Sequence, residues 1–207
     1  MLSDLFSNFN LLFRWIHVIS GIVWVGHLYF FNFVNLQLQA SIDDVTKKAV
    51  NPQLMPRALW WFRWGAMSTF ISGLILFTMI YMYTPGVGFG PSNTFSSYEG
   101  ITGRAIWILM GMTLGSIMWF NVWFIIWPTQ KLILGGKAPA DQLPALRTKA
   151  AKFSRINTFL SGPMLFGMLA APHYGSASFL SMLIVISIAM LAVSAAYKAS
   201  KNVGKTI

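Results

Sequence analysis

Three histidines are the side chains best equipped for chemistry in this 207-residue chain: His17 in RWIHVISG, His27 in WVGHLYF and His173 in APHYG. Imidazole is the commonest metal ligand among the side chains. The chain has no Cys, which excludes disulfides, thiolate metal sites, iron–sulfur clusters and covalent c-type haem attachment. His17 and His173 each stand near the same end of a separate apolar segment. Two neutral imidazoles from two helices at one depth are what a b-type haem takes as axial ligands. Gly21 follows His17 by one helical turn, on the face where a flat macrocycle needs room. Arg14 and Arg104 are the cations at that same end, and a guanidinium matches a propionate as a fork. The expected cofactor set is therefore His17 and His173 on iron, with Gly21, Arg14 and Arg104 around one haem b per chain. Another tetrapyrrole would want the same residues.

His27 lies ten residues beyond His17, so ~15 Å deeper and roughly 80° round the helix. It cannot share an iron with His17. Its expected role is a polar bond to a neighbouring helix; the alternative is a second metal site completed by a methionine. A second polar cluster falls at the opposite end, with Asn32, Asn35, Arg63, Asn121, Arg155 and Asn157. Amides at such depth need partners. They read as a structural network, or as a small polar-ligand or quinone pocket built on Arg63, Asn121 and Asn157.

The elements that must position these residues are membrane spans. The chain is 56% hydrophobic and only 10% charged, where a soluble domain carries about 25% charge. Mean hydropathy is +0.60. A spanning helix needs roughly 20 mostly apolar residues. Five stretches meet or approach this, at about 11–38, 64–83, 105–127, 151–171 and 179–197. The expectation is an all-α integral membrane bundle of five transmembrane helices forming a single domain. Pro128 should close the third span, and Gly162-Pro163 should kink the fourth. Leu143–Lys152 reads as an amphipathic lead-in. Residues 84–103 read as a Gly/Pro/Ser-rich loop outside the bilayer. GMTLG, from Gly111 to Gly115, is a GxxxG match that suggests close helix packing.

The net charge of +10 comes from clusters between the spans, so it reads as topology and lipid contact rather than nucleic-acid binding. Lys47, Lys48 and Arg57, then Lys131, Lys137, Arg147, Lys149 and Lys152, then the tail lysines all fall on one side. Arg14 and Arg104 fall on the other. The positive-inside rule then puts the N-terminus outside and the C-terminus inside. Trp15 and Trp107 would mark the outer interface. Trp60, Trp61, Trp64, Trp123 and Trp127 would mark the inner one. No basic n-region or cleavage site suggests a cleaved signal peptide.

RWIHVISGIVWVG, LWWFRWGAM at 59–67, IMWFNVWFIIWPTQKLIL at 117–134 and INTFLSGPMLFGMLAAPHY at 156–174 together resemble a known family. They are similar to the membrane domain of the bacterial membrane-bound, cytochrome c-fused urate oxidases. The resemblance implies a redox protein of the bacterial cytoplasmic membrane that passes electrons at its outer face. It also implies a periplasmic cytochrome c as partner. The chain departs from that family in having no Cys, hence no c-type haem motif of its own.

Three functions are expected in order. The first is a b-type haem membrane subunit relaying electrons at the periplasmic side within a larger complex. The second, implied by the resemblance, is a urate or purine oxidase that passes electrons to a separate cytochrome c. The third is a non-redox accessory subunit of a respiratory or photosynthetic complex. No residue stands out as a urate base, because Asp4, Asp43, Asp44, Glu99 and Asp141 all fall in the N-terminal tail or in loops. A transporter is disfavoured, with no inverted repeat and no acidic residue at mid-membrane.

Overall fold

A computed structural model describes residues 2–204. Seven α-helical segments and two π-helical stretches follow in order: α1 (Leu2–Tyr29), a π stretch (Phe30–Asn35), α2 (Leu36–Ser41), α3 (Asp44–Tyr81), α4 (Gly103–Phe120), a π stretch (Asn121–Ile126), α5 (Trp127–Leu134), α6 (Leu143–His173) and α7 (Phe179–Ala199). Because α1 to α2 and α4 to α5 each run on through a π stretch, five long rods result. Four of the five expected spans fall inside them, and the second, 64–83, runs two residues past the end of α3 at Tyr81. Four rods, at Asp4–Ser41, Asp44–Tyr81, Gly103–Leu134 and Phe179–Ala199, are long and apolar enough to cross a membrane. The fifth, α6, is long enough but more polar.

That polarity faces protein. Asn157, Thr158 and Ser161 on α6 are fully buried. The helix is the hub of the bundle, touching α1, α4, α5, α7 and both π stretches. Many large apolar side chains point outward instead, including Ile22, Leu169 and Leu191, as expected where lipid is the solvent.

Local chemistry sets the helix ends. The Asp43 side chain caps α3, accepting from the Thr46 backbone N–H at 2.8 Å and from its hydroxyl at 3.0 Å. Thr102 caps α4 by accepting from the Ala105 N–H. Ser178 and Ser181 form a reciprocal capping box at the start of α7. Each satisfies backbone donors that the first turn leaves without partners.

Several boundaries differ from expectation. The first helix begins near residue 2 rather than 11. The helix of the second expected span, α3, starts at Asp44 rather than 64, with Pro52 and Pro56 inside it; at 1.5 Å per residue it is roughly 57 Å long. Pro128 does not end its helix. It sits in the first turn of α5, where a missing N–H is tolerated. Trp107 is not interfacial: it is fully buried, and its indole N–H donates to the Ser176 carbonyl at 2.9 Å.

Glycines set the closest crossings. A Cβ on Gly167 would meet the Gly111 nitrogen and the Trp107 oxygen, both at 2.9 Å. So α4 and α6 touch backbone to backbone at the first glycine of the GxxxG pair. Gly162 does the same for α6 and α7, where a Cβ would lie 2.9 Å from the Ala189 oxygen. The segment between α3 and α4 is better ordered than a plain loop. It folds into two short antiparallel hairpins, β1 (Tyr83–Thr84) with β2 (Gly88–Phe89) and β3 (Ser96–Ser97) with β4 (Gly100–Ile101). Pro85-Gly86 makes the first turn, with Gly86 at φ 84° and the Val87 N–H donating to Thr84, the geometry that calls for glycine at this position.

Candidate cofactor cavity

A cavity of about 470 Å³ opens between α1, α3, α4 and α6, with His17 and Gly21 on its wall. That size falls in the ~300–1,000 Å³ of small-molecule and cofactor sites. Along α1 it runs from His17 to Tyr29, roughly 18 Å of helix. The lining is almost wholly apolar. Gly21, Gly26, Gly73 and Gly115 keep it open, and Met112, Met164 and Met168 place three thioethers on it.

His17 is held in one orientation by α3. Its Nδ1 lies 2.9 Å from the Thr69 carbonyl oxygen and 3.2 Å from the Ser72 hydroxyl. A carbonyl only accepts, so Nδ1 carries the proton. The Ser72 hydroxyl donates to the Ser68 carbonyl at 2.6 Å, which leaves its lone pair facing the imidazole. In the neutral ring, Nε2 then holds the free lone pair. An Nδ1–H bound to a backbone carbonyl is the support that metal-ligating histidines commonly have. Gly73 lies against the ring at its Cε1–Nδ1 edge, where a side chain would crowd these bonds. Sequence reasoning missed Gly73, Thr69 and Ser72; a histidine facing Thr69-x-x-Ser72-Gly73 on another helix carries no signal within its own segment.

Trp24, which also lines the cavity, is 2% exposed, and its indole N–H has no hydrogen-bond partner among the described residues. Tyr29 bonds Ser161 at 2.9 Å, tying α1 to α6 at the deep end.

The other expected ligands lie elsewhere. His173 stands exposed at the C-terminal end of α6, five residues beyond the cavity residue Met168, and does not line the cavity. Arg14 donates to the Asn10 side chain on its own helix at 2.6 Å. Arg104 caps α6, donating through Nε to the Ala171 carbonyl and through Nη2 to the Pro172 carbonyl, each at 3.0 Å. The Phe6 ring in the first turns of α1 packs on Tyr83, just past the end of α3, at 5.6 Å, so the ends of α1 and α4 that carry Arg14 and Arg104 lie at the same end of the bundle. His27 donates Nδ1–H to the Val23 carbonyl at 2.7 Å. Its bond is therefore within α1 rather than to a neighbouring helix. Among the described residues, no three His, Asp or Glu gather as a metal cluster.

The polar cluster divides in three. The Asn121 amide donates to Asn157 at 2.8 Å, and Asn157 donates to the Met118 carbonyl at 2.9 Å. The pair is buried and ties α4 to α6. Arg63 does not join it. Its guanidinium lies 3.8 Å from the Trp127 ring centre and about 6 Å from those of Trp64 and Trp123. Asn32, Asn35 and Arg155 line a second, larger cavity with Lys47, Lys48 and Arg147. Of the cations expected on one side, Lys47, Lys48 and Arg147 thus meet at one mouth.

A model of the urate oxidase N-terminal family matches the chain in three segments, residues 3–49, 41–90 and 91–205. No curated protein and no solved structure matches it.

Proposed function

The chain belongs to the urate oxidase N-terminal family, and on that premise we propose that it is a multi-pass subunit of the bacterial cytoplasmic membrane carrying a b-type haem or related tetrapyrrole. Its N-terminus would face the periplasm, and it would relay electrons at that face within a larger complex. One observation carries the reading: Nδ1 of His17 is fixed on the Thr69 carbonyl, leaving Nε2 free beside a glycine-walled cavity. The residues fit the group. His17 supplies an imidazole in the ligating tautomer, the four glycines leave flat faces, and the apolar wall excludes water. When bound, such a group supplies one-electron chemistry; the chain orients it and sets its polarity. A second axial ligand would come from a cavity thioether or from His173 beyond the cavity's end. The test is a reduced-minus-oxidised spectrum of the purified protein with pyridine extraction of the pigment. A b-type signal near one per chain is expected, and a colourless protein with a full complement of partners overturns the reading.

The family match favours a second reading: oxidation of urate or a similar purine, with electrons passed to a separate periplasmic cytochrome c. Purine-dependent cytochrome reduction by intact membranes supports it; no reduction with any purine removes it.

A further inference from the structure

The larger cavity, about 870 Å³, lies at the opposite end of the bundle from Arg14 and Arg104, among α2, α3, α5 and α6. Its lining holds four cations, Lys47, Lys48, Arg147 and Arg155, against one carboxylate, Asp44, which already pairs with Lys47 at 3.2 Å. Deeper in the wall, Asn32 is 5% exposed. Its amide nitrogen donates to Leu28 and Ser154, while its oxygen accepts from nothing among the described residues. Asn35 is also buried, and its amide nitrogen meets only the Met55 sulfur at 3.8 Å, a weak acceptor. The wall thus presents a free acceptor and a poorly used donor three residues apart. Phe31, Leu59 and Phe62 supply an apolar floor. Both π stretches border the cavity, through Asn32 and Asn35 and through Ile126, and π turns recur at functional sites.

We infer that this cavity binds a hydroxyl-bearing phosphate anion with an apolar body. The phosphate lies among the four cations, and the hydroxyl bridges Asn32 Oδ1 and Asn35 Nδ2, since a hydroxyl both donates and accepts. The apolar body lies along Phe31, Leu59 and Phe62. A glycerophosphate group has this chemistry, either as the headgroup of an acidic phospholipid or as a soluble ester. A zwitterionic headgroup does not, because its own cation meets the four on the rim. The inference rests on the membrane reading but not on the haem.

Native mass spectrometry and thermal unfolding of the detergent-purified full chain test it, with phosphatidylglycerol, phosphatidylcholine and glycerol 3-phosphate as probes. One phosphatidylglycerol is expected to bind and raise the unfolding temperature, with phosphatidylcholine doing neither. Lys48 and Arg147 are both exposed, so the Lys48→Gln/Arg147→Gln variant keeps the fold. It should weaken binding roughly 30-fold, the effect of two cations on an anionic headgroup. Displacement by glycerol 3-phosphate assigns the site to soluble esters, and its failure to displace assigns it to the lipid. Equal binding of the two lipids, or binding unchanged in the double variant, overturns the inference. Displacement by urate also overturns it and hands the cavity to the purine reading. His17→Ala should leave binding unchanged, which separates this site from the haem.

Discussion

Gly73 stands directly against the imidazole of His17: a methyl group at its Cα would sit 3.0 Å from Cε1 and 3.3 Å from Nδ1. The α1–α3 contact is therefore built around this ring, with the hydrogen bonds to Nδ1 and the missing side chain meeting at the same Cε1–Nδ1 edge. Gly73→Ala should push the ring off the Thr69 carbonyl without unfolding the bundle. Where the pigment is bound, its Soret and α bands should shift or lose intensity while the circular dichroism stays helical. An unchanged spectrum would mean that His17 is not the ligand.

Direct removal of the ligands sharpens the point. His17→Ala should abolish the low-spin spectrum, and His27→Ala should leave it, because His27 is bound within its own helix and lies off the cavity. His173→Ala decides the second axial position. Loss of the spectrum gives that position to His173. Retention gives it to Met112, Met164 or Met168, each then testable by Met→Leu through the reduction potential.

The buried amide pair predicts a coupling energy. Asn157→Ala strands the Asn121 side-chain amide in the core, while the Met118 carbonyl keeps the Asn121 backbone N–H, and should cost about 1–3 kcal/mol. Asn121→Ala alone should cost less, since Asn157 keeps its bond to Met118. A double-mutant cycle followed by unfolding in mixed micelles measures this, and strictly additive losses would refute the pairing.

Arg104→Gln should fray the last turn of α6. The arginine binds the Ala171 and Pro172 carbonyls, which the helix itself leaves unpaired. Cations at a helix C-terminus contribute about 0.3–1 kcal/mol. Hydrogen exchange at the Tyr174 amide, which donates to Ala170, should speed up locally. Global unfolding should change little.

The cap on α3 carries a pH dependence with a definite sign. Bonds from the Thr46 backbone and then its hydroxyl hold the Asp43 carboxyl below the usual aspartate range. A depressed carboxyl stabilises the fold above its unfolded pKa of about 3.9. That contribution is lost as pH falls through the lower folded value. Helicity at 44–48 should therefore weaken on acidification below about pH 4. Asp43→Asn should keep the cap, since Asn caps as well as Asp, and remove the pH dependence of these amides in an NMR titration.

Four of the rods were legible because runs long and apolar enough to cross a membrane stand out in a sequence without any tertiary contact to explain them. The helix ends were less so. Val45–Phe62 looked like a connection because Lys47, Lys48, Pro52 and Pro56 are poor company for lipid, yet this part of α3 is helical and borders the polar cavity. Trp107 looked interfacial by its position near a span end. Its burial depends on Ser176, almost 70 residues away, offering a carbonyl. Arg104 looked like a propionate partner, and only the packed end of α6 shows what it binds. His17 was legible as a polar group in an apolar run, but its tautomer is written on α3. In each case the missing information was a partner on another helix.

The two π stretches have a consequence for the lineage of the fold. In each, the amide after the stretch reaches back five residues: Leu36 to Phe31, and Trp127 to Val122. One residue more than an α-helix needs is thus accommodated inside each stretch, and the helix beyond keeps its facing. Taking out exposed Val34 would let the rod close into a plain α-helix with Gln39 still turned toward Asn51, with which it exchanges two amide bonds. Taking a residue from the regular helix of α3 instead would turn everything beyond it by about 100°. Alignments of related sequences should therefore tolerate a one-residue gap in these two stretches better than anywhere else in the rods.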